Sequence, residues 1–262
     1  RKLPRMIFDF IEGSAGREIA SDRNSEIFND IFLKSKVLAE IKDPKLNSKF
    51  LNYSFDFPFG IAPMGMCDLA WPGADKNLAE TAKKFNIPLC VSTAASSSLE
   101  DLKKWGKDQA WFQLYVNGPT QDAWTLVDRA KAAEYKTLIL TVDVPVVSRR
   151  VRDLRNGFIV PFKIGLKQFV DFSLHPHWSL STLFKGIPEP KNFRHGSENR
   201  FDRSPVTTYR ALPTHELTVE TTGLAAICRL VCDQGFSKTA QYRKIFSCYT
   251  ASIIDVQINQ LG

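Results

Sequence analysis

Four short apolar runs, each trailed by an amphipathic stretch, constrain this chain more than any other feature. GIAPMGM precedes residues 73–85, PLCVSTA precedes 96–104, AWFQLYV precedes 119–133, and TLILTVDVP closes the series. The runs begin near residues 60, 88, 110 and 137, a spacing of roughly 25 residues, which is what one βα unit occupies. Uninterrupted apolar strands alternating with helices predict a parallel sheet, covered on one face or closed into a barrel.

The flanks read differently. In KLPRMIFDFIEGSAG, the residues Met6, Ile7, Phe10 and Ile11 share a helical face, and Gly13 ends the helix with turn chemistry. A second helix is expected over 17–32, and FLNYSFDFPFG alternates as a hairpin or edge strand does. Residues 157–193 interleave apolar, aromatic and basic side chains, with one helix expected over 179–185. That segment suits a long loop packed on the mouth of the sheet, with a membrane-surface segment as the alternative. After residue 194 the βα spacing stops, leaving a helical stretch near 216–232 and a strand-like stretch near 251–258.

With 262 residues and 44% apolar content, the chain can bury a sizeable core. Its +7 formal charge is spread along the chain instead of forming a block, so it reads as solvated surface and gives no sign of nucleic acid binding. Cys67, Cys90, Cys228, Cys232 and Cys248 are odd in number and hold no C-x2-C pair, which fits a reducing compartment. No uncharged apolar run reaches about 18 residues, and RKLPRMIFDF has no signal-peptide character. A cytoplasmic location, peripheral to the inner membrane, is the expectation. The start on Arg1 suggests that residues precede it.

In a parallel βα architecture ligands gather at the C-terminal strand ends. There the sequence places Pro63, Met64 and Gly65, then Ser92, Thr93 and Ala94, then Gln113 and Tyr115, then Thr141, Asp143 and Arg150. Gln113 and Tyr115 are two apart, as are Thr141 and Asp143, so each pair shares a strand face. Four polar side chains turned into one interior cost desolvation unless something binds them, which favours a site. Arg149 and Arg150 lie close enough to Asp143 to edge an anion pocket, and guanidinium geometry suits a carboxylate. No G-x-S-x-G, H-E-x-x-H or Gly-rich phosphate loop is present, and His175 and His177 read as packing residues more readily than as a metal pair.

The ordered segments LPRMIFDFIEGSAG, IAPMGM…WPGAD, STAASSSLEDL, WFQLYV, LTVDVP…RR…DLRNGF and LHPHWSL resemble the FMN-dependent 2-hydroxy acid dehydrogenases and oxidases, nearest the lactate and (S)-mandelate dehydrogenase branch. The resemblance covers residues 1 to about 193. It implies an α/β fold, a TIM (β/α)8 barrel of which about four βα units are present, with FMN at the strand ends. It further implies that backbone at Pro63, Met64 and Gly65 contacts the flavin, and that Ser92, Gln113 and Thr141 hydrogen-bond its ring. Tyr115 would meet the hydroxyl or keto oxygen of a small 2-hydroxy acid, Arg150 its carboxylate side, and Asp143 would orient a catalytic histidine. That histidine would take the substrate proton while a hydride equivalent passes from C2 to the flavin.

Three departures from the family pattern bear on function. Phe10 stands where the family has a tyrosine for the substrate carboxylate, and Ala94 leaves room for a bulky substrate side chain. The family's LVKG-type lysine strand, its SNHGGRQ motif with the base and main substrate arginine, and its phosphate-binding DGGxRxG segment do not occur. Four more βα units need about 100 residues, whereas residues 194–262 number 69. The expected organisation is therefore a partial barrel over 1–193 and a divergent tail over 194–262, inactive by itself, with an open edge on the fourth strand. A peripheral membrane contact through 157–193 and a homo-oligomeric parent enzyme are the expected associations. The other classes are a non-catalytic flavin- or partner-binding remnant, and a phosphate-binding barrel lyase or isomerase. The last lacks the strand-end lysine or paired acids it needs.

Overall fold

The computed structural model describes residues 2–35, 37–38, 43–115, 120–141, 149–159 and 164–192, together with the backbone of 243–246 and 252–257. Chain order is α1 (Arg5–Glu12), α2 (Ile19–Glu26), β1 (Ser48–Phe50), β2 (Tyr53–Phe55), α3 (Ala74–Lys84), β3 (Leu89–Ser92), α4 (Leu99–Gly106), β4 (Ala110–Tyr115), α5 (Thr120–Ala132) and β5 (Thr137–Thr141). Then follow α6 (Val151–Asn156), α7 (Leu166–Ser173), α8 (Pro176–Lys185), β6 (Arg243–Phe246) and β7 (Ser252–Gln257).

Strands β3, β4 and β5 are parallel neighbours, in register Ser92 opposite Gln113 and Tyr115 opposite Thr141. One face of this sheet carries Leu89, Val91, Ala110, Phe112, Leu114, Leu138 and Leu140, buried beneath α3, α4 and α5 through Ala79, Leu102, Leu126 and Val127. That helical cover explains why the three runs are apolar throughout. The opposite face is split along its length. Its N-terminal half is plugged by the β1–β2 hairpin, where Leu51 and Phe55 pack on Trp111 and Ile139. Its C-terminal half carries Ser92, Gln113 and Thr141.

The hairpin expected from FLNYSFDFPFG forms with Leu51 and Asn52 at its tip, both at positive φ (50° and 65°). Two consecutive left-handed residues make the turn whose twist matches the paired strands. The first helix also forms as expected, but Gly13 leaves it in extended backbone, φ −70° and ψ 153°, not in a left-handed turn. Glycine is needed there because a Cβ would lie 2.4 Å from the Asp9 carbonyl oxygen. The second expected helix is shorter than 17–32, with α2 running into a 3-10 turn over Ile27–Asp30.

Three expectations are corrected. The run at residue 60 is not a strand: it contributes a single parallel bridge, Ile61 to Leu89. Pro58 and Pro63 flank that bridge and cannot donate to a ladder. The fourth apolar run has no open edge, because β7 pairs antiparallel with β5 from Thr137–Gln257 to Thr141–Ile253, and β6 pairs with β7. The sheet order β3-β4-β5-β7-β6 is accordingly mixed, and no closed barrel forms among the described residues. Strand β7 falls on the stretch expected near 251–258, whereas the helix expected over 216–232 lies outside the described residues.

Within 157–193 the expected helix begins earlier, at Pro176, whose fixed φ and missing N–H suit the first helical turn. Helix α7, which has no counterpart in the expectations, precedes it. Trp178 anchors the segment: it packs with Met6, Ile7, Met66, Leu69 and Phe158, and its indole N–H donates to the Leu69 carbonyl at 2.7 Å. At the far end buried Asn192 accepts the Leu99 N–H at 2.8 Å and so caps α4, while Arg129 reaches both Glu100 and the Asn192 carbonyl. The outer faces remain apolar and exposed, with Leu166, Phe169 and Val170 on α7 and Leu180, Leu183 and Phe184 on α8.

Candidate functional site

Ser92, Gln113 and Thr141 end three adjacent parallel strands on one face, as the period-two pattern requires. Gln113 is fully buried and fixed from both sides. Its Nε2 donates to Thr141 Oγ1 at 2.8 Å, and its Oε1 accepts the Thr93 N–H at 3.4 Å. Thr93 ties the strand ends together, donating its hydroxyl to the Gln113 carbonyl at 2.6 Å and accepting the Tyr115 N–H at 3.1 Å. Thr93 stands at a strand end in the sequence, where its position alone assigns it no role. Its signal is its place one residue past Ser92, where a hydroxyl can close the gap to the neighbouring strand.

Ser92 Oγ accepts the Ala94 N–H at 3.1 Å, and Thr141 Oγ1 accepts from Gln113. Neither hydroxyl donates a hydrogen bond among the described residues. Above this row runs the loop over residues 63–65. Met64 is exposed, and so is Gly65, whose absent Cβ would lie 3.0 Å from Ala94 Cβ. The Met66 N–H donates to the Ala94 carbonyl at 2.9 Å, stapling the loop to the end of β3. Gly65 thus lies beside the end of β3, with Met64 and Gly65 exposed.

The charged residues are arranged differently. Arg150 is half-buried and donates to the carbonyls of Phe10 and Gly13 at the C-terminal end of α1, while its guanidinium lies 5.1 Å from the centre of the Phe10 ring. Its Nε is also 3.3 Å from Asp153, a buried carboxylate with no hydrogen bond among the described residues. Burial raises the Asp153 pKa, with Arg150 opposing. Phe10, which stands where the family has a tyrosine, is stacked on Phe158 at 4.3 Å between ring centres. Arg149 is exposed. Asp143 lies outside the described residues, as does the expected pocket between it and the two arginines.

Burial and the Asp75 carboxylate push the Cys67 thiol up to about 12, away from the thiolate form a nucleophile needs. His175 Nδ1 sits 2.7 Å from the Asp171 carbonyl and His177 stacks on Trp71, and no metal-holding cluster occurs among the described residues.

Parallel strands covered by helices define an α/β protein, a class in which ligands bind at the C-terminal strand ends. The model of the FMN-dependent dehydrogenases matches residues 1–227, and the chain belongs to that family. It is 37% identical over 193 residues to (S)-mandelate dehydrogenase of Pseudomonas putida, covering 74% of this chain and 49% of that protein. It is 31% identical over 188 residues to L-lactate dehydrogenase of Xanthobacter autotrophicus, covering 72% and 48%. Among solved structures, that of the monotopic membrane protein (S)-mandelate dehydrogenase superposes with a TM-score of 0.74 at 34% identity, over 82% of this chain and 57% of that one. The chain thus spans about half the length of the curated relatives it matches.

The residues present fit a flavin. The ring system of FMN presents carbonyl and imine acceptors along its edge, which suit the hydroxyls of Ser92 and Thr141 and the exposed backbone of Met64 and Gly65 as hydrogen-bond donors.

Proposed function

We propose that this chain forms the flavin-facing part of an enzyme that oxidises an (S)-2-hydroxy acid, of mandelate or lactate type, to the 2-oxo acid. The carrying observation is the row Ser92, Gln113 and Thr141, held rigid by Thr93 and topped by the open loop at Pro63, Met64 and Gly65. Bound FMN supplies the two-electron acceptor for the substrate's C2 hydride. Ser92, Gln113 and Thr141 hold the ring, and Tyr115 orients the substrate's hydroxyl oxygen. Arg150 attracts the substrate carboxylate, and Asp143 holds the imidazole of the base in one tautomer. The small residues Gly65 and Ala94 lie side by side, which favours an aryl side chain over a methyl and so mandelate over lactate.

In this reading residues 1–193 are the first part of a (β/α)8 barrel and 194–262 are a divergent tail. The parent enzyme is a homo-oligomer, and its exposed apolar faces on α7 and α8 touch a membrane surface. That the solved relative is a monotopic membrane protein supports that contact, and no described helix is long and apolar enough to cross a membrane. The sequence holds no SNHGGRQ, so the chain binds FMN without turning substrate over. The second reading, a non-catalytic remnant, draws on the pairing of β7 along β5, where a parallel strand would continue a barrel.

Anaerobic addition of (S)-mandelate or (S)-lactate to the FMN-loaded chain tests this directly. The flavin stays yellow in our reading. Bleaching by either acid contradicts the inactivity, and the acid that bleaches faster identifies the substrate type.

A further inference from the structure

A second cavity, of about 620 Å3, lies apart from the strand-end row, between the N-terminal segment, residues 70–72 and the start of α8. Its volume falls inside the range of about 300–1,000 Å3 typical of small-ligand sites. Its apolar walls include Leu3, Trp71, Leu174 and Trp178. These walls are held in place by contacts among themselves and with neighbouring residues. Trp178 is pinned by its bond to the Leu69 carbonyl, Lys185 Nζ donates to the Pro72 carbonyl at 3.2 Å, and Trp71 stacks on His177 at 5.4 Å.

The polar lining is Lys2, His175, His177 and Ser181, and no Asp or Glu contributes to it. Asp171 sits behind His175, 3.5 Å from its Nδ1, and is not part of the lining. A carboxylate head would therefore meet a cation and hydrogen-bonding groups without a facing acid. Leu174 lines the cavity at 73% exposure, and Leu180 is exposed one residue before Ser181. An apolar tail entering the cavity passes over apolar surface on its way in.

We propose that this cavity binds a single-chain anionic amphiphile, an acyl carboxylate, with its tail between Trp71 and Trp178 and its head toward Lys2, His175 and Ser181. The site gives the HPHW segment a task beyond packing. It does not depend on the flavin reading.

Dodecanoate, kept below its micelle-forming concentration, is titrated by calorimetry into the full chain, with dodecyltrimethylammonium and benzoate as comparators. The expected result is one saturating site for dodecanoate, with both comparators at least about tenfold weaker, a difference of about 1.4 kcal/mol. Brominated dodecanoate quenches tryptophan emission at the site, and Trp71→Phe diminishes that quenching. Ser181→Trp fills the cavity and abolishes binding, while Lys2→Glu, at an exposed position outside every helix and strand, weakens dodecanoate alone. Equal affinity for the cationic amphiphile overturns the charge preference, and equal affinity for benzoate overturns the tail site. Non-saturating uptake, or unchanged affinity in Lys2→Glu, overturns the proposal as a whole.

Discussion

Trp111 and Gln113 stand two residues apart on one face of β4, and their buried polar atoms meet different fates. Every hydrogen-bonding group of Gln113 that matters to its orientation is engaged, whereas the Trp111 indole N–H is buried without a partner among the described residues. An unmade buried hydrogen bond costs about 1–3 kcal/mol. Trp111→Phe removes that penalty while giving up some contact with Phe50, Tyr53 and Phe55. Urea unfolding should find it within about 1 kcal/mol of the parent chain, against a loss of about 3–5 kcal/mol for Trp111→Ala.

Asp75 offers a pH test at the same scale. It is buried, and burial raises its pKa above the ordinary 3.8, against the lowering effect of the Ser97 N–H that donates to it at 2.8 Å. Because the folded-state pKa is raised, the folded chain holds the proton more tightly than the unfolded one. The resulting stability is present below about pH 3.8 and is lost as pH rises through the folded-state value. Asp75→Asn, which keeps an acceptor for Ser97, should flatten the melting temperature across that interval. An unchanged pH slope would remove Asp75 from the account.

Among the elements, α1 and α6 are joined by polar contacts that a strand-end reading does not anticipate. Arg150 donates to two carbonyls of the α1 C-terminal turn, Asn156 donates to Asp9 at 2.6 Å, and Arg152 pairs with Glu12 and Glu18. Carbonyls at a helix C-terminus lack intrahelical partners, so a guanidinium there satisfies two of them at once. A lysine cannot reproduce that fork. Arg150→Lys should cost about 1–3 kcal/mol in chemical denaturation, even with no substrate present. A variant as stable as the parent would leave substrate binding as the whole role of Arg150.

The same elements show what a sequence discloses and what it withholds. Strands β3, β4 and β5 are legible because helices cover one of their faces and a hairpin covers half of the other, so apolar runs are obligatory. The hairpin and β7 are legible from alternation. The run at residue 60 misleads because its prolines remove the donors a strand needs, although its hydropathy matches its neighbours. Helix α7 escapes notice because its outer face is apolar, which blurs the amphipathic signal. At the site, Ser92, Gln113 and Thr141 follow from strand ends and period two. The engagement of Arg150 depends on α1, about 140 residues earlier in the chain, and local pattern cannot show it.

For the whole molecule, the sheet has a covered face, a plugged lower half and a polar upper rim, and the chain spans about half the length of its curated relatives. Pairing of β7 with β5 occupies the edge that a further parallel strand would use. The row proposed to face the flavin needs no further strand, since Ser92, Gln113, Thr141 and the loop at 63–65 all precede it. The proposed function therefore separates ring binding from turnover, assigning the first to residues this chain holds and the second to a histidine motif its sequence does not contain.

Fluorescence titration of FMN into the purified full chain tests that separation most directly, with Gln113→Leu alongside. The account predicts saturable one-to-one quenching by the parent chain and affinity at least about tenfold weaker in the variant, the loss of one buried hydrogen-bonding side chain. Absence of saturable quenching, or equal affinity in a folded Gln113→Leu variant, would contradict it.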